Sequence, residues 1–148
     1  MLARVQALLA ALWGGFLLCV AFGAAPSAFA VLERAQAGAL VARLFNIDAQ
    51  VSLAAALILM LLERRRQRDA AEAGAAGGIF SAALLLPAVA LFCTIAGYYG
   101  LQPLMAQART GAGVASFAAL HGASLAFFAV KGLAVLALAW RLTPPRSS

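Results

Sequence analysis

His121, Ser124, Phe128 and Lys131 recur at intervals of three and four residues. At about 100° per residue, that spacing gathers all four on one face of a helix. An imidazole, a hydroxyl and an amine aligned in this way can hydrogen-bond a neighbouring helix or a ligand, and the imidazole can also hold a metal ion. Cys19, Cys93 and Met105 add sulfur, and with His121 they make a soft donor set suited to copper or zinc. Arg43, Asn46 and Gln50 share a face of their own at the same spacing, which is expected to turn toward the neighbouring helices. The two cysteines are far apart and no Cys-x-x-Cys exists. No Ser/His/Asp set, phosphate loop or carboxylate pair points to a hydrolase, kinase or glycosidase.

Each group also has an ordinary structural use. A single histidine within a membrane more often bridges helices than binds a ligand, and Asn46, Gln50 and Ser124 can serve as interhelical glue at about 1 kcal/mol each. A buried free cysteine behaves as a small apolar residue. Lys131 is harder to place. It precedes Arg141 by about 15 Å of helix, deeper than a lysine stem easily snorkels. It reads either as a partial snorkel with local water or as a buried amine that lines a pathway or meets a polar partner. No acidic residue occurs in the first, third or fourth apolar stretch to pair with it.

The stretches that must position these residues are spanning helices. Of 148 residues, 65% are hydrophobic and 11% charged, which is too apolar for a soluble domain of this size. The net charge of +6 sits mainly at the ends of apolar runs, where membrane insertion explains it, and no basic face with interleaved aromatics suggests nucleic acid. The expected fold is all-α, a single bundle of four transmembrane helices at about 5–24, 40–62, 79–99 and 117–140. The first run is followed by Ala28-Phe29-Ala30, which imitates a secretory cleavage site, but it is longer than a signal core of about 7 to 15 residues and is expected to stay as an anchor.

Pro26 and Ser27 are expected to begin a connection, although 33–44 already has helical character. Asp48 points away from the face of Arg43, Asn46 and Gln50, and is expected at the membrane surface. Residues 63–78 form a basic loop ending in a small-residue linker. Pro87 is expected to kink the third span and Tyr98 and Tyr99 to close it as an interfacial anchor, with a loop over 100–113. The tail 143–148 is expected to be flexible. Seven arginines (4, 64, 65, 66, 68, 141 and 146) flank one side of the bundle against three (34, 43 and 109) on the other. The excess assigns both termini to the cytoplasm. The outer half then holds His121, Ser124, Asn46 and Gln50, with Cys19 and Cys93 nearby.

Gly14-Gly15, Pro26 with Phe29, Ala37-Gly38 before Leu44-Phe45, the run Gly100-Leu101-Gln102-Pro103, and Phe117 with Leu120-His121-Gly122 form one ordered pattern. In that order they resemble the bacterial family catalogued as domain of unknown function 4149, which is similar to eukaryotic transmembrane protein 205. The resemblance spans about Ala7 to Trp140. It implies a four-helix inner-membrane protein with its first helix retained, it marks His121 first among the polar residues, and it carries no established activity. The family more often has a neutral polar residue near Lys131 and a basic one near Ser116, so the resemblance transfers no role to Lys131.

The functional expectation is a non-enzymatic protein of the bacterial inner membrane, embedded in the lipid bilayer and acting by helix packing in a homo-oligomer or as an accessory subunit of a membrane protein partner. The first alternative is a small transporter or soft-metal handling protein built on the outer polar cluster. The second is a haem or quinone redox protein, for which one histidine leaves only ligation with Met105 or Met60, or sharing between subunits. No cofactor is expected; copper, zinc or haem belongs to the alternatives.

Overall fold

The computed structural model describes residues 1–74, 80–111, 113 and 115–143. Four helices, each long and apolar enough to cross a membrane, hold nearly all of them: α1 (Leu2–Val31), α2 (Arg34–Glu72), α3 (Ala82–Arg109) and α4 (Phe117–Leu142). They form an up-and-down square in chain order. α1 and α3 each pack on both α2 and α4, which leaves α2 and α4 facing one another across the diagonal. Leu8, Leu12, Leu61, Phe92 and Leu133 stand exposed on the outside, as a surface facing acyl chains requires.

Two helices run straight through prolines that the sequence places in connections. α1 continues past Pro26 to Val31, and α3 past Pro103 to Arg109, so residues 101–109 are helix where a loop is expected. A proline ring collides with the carbonyl four residues earlier, here that of Phe22 or Tyr99. Both carbonyls lie in π-helical stretches, Cys19–Ala24 and Ile95–Gly100, whose wider turn makes room for the ring. Pro87 is also buried within α3.

α2 exceeds its expected span at both ends. The arginines at 64–68 belong to it, so the basic segment is helical as far as Glu72, and residues 75–79 of the expected loop lie outside the described residues, as do 144–148 of the tail. Ser81 caps α3 by accepting from the Leu84 amide at 3.2 Å, and Ser116 caps α4 in the same way from Ala119.

The bundle is closed at one end and divided at the other. Near the end that carries the termini, Ala10, Trp13 and Leu17 of α1 pack with Ala55, Ala56 and Leu59 of α2, Ala90 of α3, and Val135 and Leu138 of α4 in one buried cluster. The alanines of α2 and α3 bring the helix backbones close to the large side chains of α1 and α4. Toward the opposite, distal end the pairing changes. From Cys19 onward α1 packs chiefly on α2, and from Ile95 onward α3 packs chiefly on α4. The two helix pairs therefore part, and a cleft opens between them.

Candidate functional site: the distal cleft

The cleft encloses about 560 Å³, within the range of ligand pockets. One wall comes from α1 and α2 through Phe29, Gly38, Val41, Ala42 and Phe45; the other comes from α3 and α4 through Gly97, Tyr98, Met105, His121, Leu125 and Phe128. Arg34 and Arg109 line it at the distal mouth, and Asp48 and Lys131 at the floor.

The floor is an ion pair across the diagonal of the bundle. Lys131 Nζ donates to Asp48 Oδ2 at 2.6 Å, with the two residues 4% and 2% exposed. Ser52 Oγ donates to Asp48 Oδ1 at 3.4 Å while accepting from Lys131 Nζ at 3.4 Å and from the Trp13 indole N–H at 3.2 Å. The ammonium also lies 4.7 Å from the centre of the Phe128 ring. Three helices are thus joined by one polar chain, and among the described residues no buried side-chain nitrogen or oxygen lacks a partner. Removing two charges from water costs several kcal/mol per ion, so each partner is held in place by the other.

Asp48 is the principal correction to the sequence reading. It lies at the centre of the bundle rather than at the membrane surface because the inward stripe of α2 runs through Asp48, Ser52, Ala55, Ala56, Leu59 and Glu63, all buried at helical spacing. Arg43 and Gln50, expected inside, are exposed on the other side of the same helix. Lys131 is the buried amine with a polar partner, and the partner belongs to the second helix.

Above the floor, two ties hold the walls. Asn46 Nδ2 donates to Tyr98 Oη at 3.1 Å, joining α2 to α3, and Gln50 Nε2 supports Asn46 Oδ1 at 3.1 Å. Tyr98, expected as a membrane-surface anchor, is therefore an interhelical acceptor. Ser124 Oγ donates to the Gly97 carbonyl at 3.2 Å. That carbonyl belongs to the π-helical stretch, where the helix's own bonding pattern is altered. A side chain at Gly97 would put its Cβ 2.5 Å from Cβ of Phe127, so glycine is what allows α3 and α4 to meet there. Phe45 and Phe128 meet edge to face at 5.4 Å across the diagonal, just above the ion pair.

The mouth carries a stack. The Arg109 guanidinium lies 4.9 Å from the centre of the Phe117 ring, and that ring is parallel to His121 at 5.7 Å. Of the soft donors, Cys93, Met105 and His121 line the one cleft, whereas Cys19 is exposed and stands apart from it. Among the described residues no three His, Cys, Asp or Glu side chains gather as a metal-binding group.

A second polar cluster stands at the opposite end. Glu63 accepts from Gln6 at 3.2 Å, Arg66 at 3.1 Å, Ser81 at 2.7 Å and Gln67 at 3.4 Å, while Arg66 also reaches the Gln6 carbonyl oxygen at 2.9 Å. It clasps α1, α2 and the start of α3 together. The sequence places Glu63, Arg66 and Gln67 in the expected basic loop but Gln6 and Ser81 inside the first and third expected spans, and marks none of them as a cluster.

The family model described as "Domain of unknown function (DUF4149)" matches residues 8–113. No curated protein and no solved structure matches the chain.

Proposed function

The chain belongs to the DUF4149 family, and we propose that it is a non-enzymatic, multi-pass protein of the bacterial inner membrane that holds a small ligand between its two helix pairs. The observation that carries this reading is the cleft of about 560 Å³, kept open in a bundle whose other half is closed around Trp13, Leu59 and Leu138. Helix packing alone accounts for the closed half. It gives no reason for the other half to part, nor for a charged pair to be fixed at the base of the gap. The cleft is walled mainly by aliphatic and aromatic groups, and its innermost charges are bound to one another, which suits retention of a ligand better than chemistry on it. The excess of arginines beside the termini supports a cytoplasmic position for both ends, so the cleft opens toward the outer face.

Native mass spectrometry of the detergent-purified protein tests the reading. Wild type is expected to carry a small-molecule adduct. Ala42→Trp, which places an indole in the cleft, is expected to lose it without a fall in melting temperature. A wild type that is adduct-free, or an unchanged adduct on Ala42→Trp, would overturn it.

A further inference from the structure

The charges along the cleft do not balance. Arg34, Arg109 and Lys131 line it against Asp48 alone. Lys131 and Asp48 neutralise each other at the floor, 2.6 Å apart. The surplus is therefore two guanidiniums at the mouth. Arg34 begins α2 and Arg109 ends α3, both are exposed, and among the described residues neither forms an ion pair. Glu33, beside Arg34, is exposed and does not line the cleft. Stacking on Phe117 restrains Arg109 and leaves the edge of its guanidinium free to donate.

Below the arginines the walls turn apolar. From Arg34 to Asp48, α2 rises about 21 Å at 1.5 Å per residue. One leaflet of hydrocarbon is about 15 Å deep, so an acyl chain whose head stays at the membrane surface fits this depth. We infer that the ligand is an amphiphile with an anionic carboxylate or phosphate head and an acyl chain, its head held by Arg34 and Arg109 and its chain lying between Val41, Phe45, Leu125 and Phe128. The planar guanidinium fork matches either head by paired hydrogen bonds. The floor takes no part in holding the head, because Lys131 is already committed to Asp48 and Ser52. It ends the apolar channel and limits how far the chain descends. This inference rests on the binding reading above and adds the class of ligand.

Trp13 supplies the probe, since its indole is bonded to Ser52 at the floor. The sequence has two tryptophans, and Trp140 is 85% exposed on the far end of α4, so Trp140→Phe leaves Trp13 as the only tryptophan, excited selectively over Tyr98 and Tyr99 at the red edge of the absorption band. In phosphatidylcholine nanodiscs, Trp13 emission is titrated with ω-bromohexadecanoate and with the corresponding bromo-alcohol. The acid is expected to quench saturably and to bind roughly tenfold tighter than the alcohol. The double variant Arg34→Gln, Arg109→Gln is expected to abolish that preference, and Arg34→Lys, Arg109→Lys to restore part of it.

Equal binding of acid and alcohol by wild type would overturn the anionic head while leaving a ligand-binding cleft in place. Absence of saturable quenching by either would overturn both readings. Phosphatidylglycerol that displaces the acid identifies a phospholipid as the source of the amphiphile. Displacement by hexadecanoate alone identifies a free fatty acid. Either result supports the inference.

Discussion

Two buried carboxylates in this bundle do different work. Glu63 sits where α1, α2 and the start of α3 meet, with four donors around it, one of them Arg66, whose side chain is 38% exposed. Asp48 lies about 22 Å away along the same helix, with one ammonium and one hydroxyl for partners, both buried. At Glu63 water reaches the cation, and several hydrogen bonds together with Arg66 share the charge and offset the desolvation of the buried carboxylate, so the cluster closes the bundle end. At Asp48 the charge is offset by a single partner from the opposite corner of the square. The first arrangement makes a clasp. The second fixes the separation of two helices that are not neighbours, and the cleft stands on top of it.

The largest expected effect comes from breaking the deep pair. Asp48→Leu or Lys131→Met alone leaves an unpaired buried charge and is expected to cost about 3–5 kcal/mol, while the double variant recovers most of it. Reversible unfolding in detergent measures all arms of this cycle. Single variants that unfold like wild type would show the floor to be wet and the contrast with Glu63 to be empty. Glu63→Gln keeps the shape but weakens charged hydrogen bonds, with an expected loss of about 1–3 kcal/mol. It should leave ligand retention in the cleft unchanged, which native mass spectrometry reads directly.

Smaller effects sharpen the same contrast within the distal half. Gly97→Ala forces α3 from Phe127 and is expected to cost about 1–2 kcal/mol in the same unfolding assay. Ser124→Ala removes one interhelical bond to the Gly97 carbonyl, and its cost should fall near 0.6 kcal/mol. A Ser124 effect as large as that of Lys131 would mean that the wall tie, rather than the ion pair, governs the spacing of the distal helices.

The apolar runs made four helices legible, because length and hydropathy alone specify a candidate span. The common face of His121, Ser124 and Lys131 was also legible, since it depends only on spacing within one helix. Pro26 and Pro103 misled because the cost of a proline is visible in a sequence, whereas the π-helical turn that absorbs it is a property of the backbone around it. Asp48 misled for another reason. Arg43, Asn46 and Gln50 resembled an inward face, while the true stripe from Asp48 through Ser52 and Leu59 to Glu63 is broken by alanines and shows little polar contrast. The partner of Asp48 is 83 positions away, a separation that no local pattern reports. The cleft could not be read at all, because it arises from how two helix pairs part.

An experimental density map of the full-length protein in lipid nanodiscs tests the central claim most directly. The account predicts elongated density between the α1/α2 and α3/α4 pairs, with its head between Arg34 and Arg109 and its tail ending above Lys131. Distal helix pairs closed against each other, with no space left between Phe45 and Leu125, would contradict it.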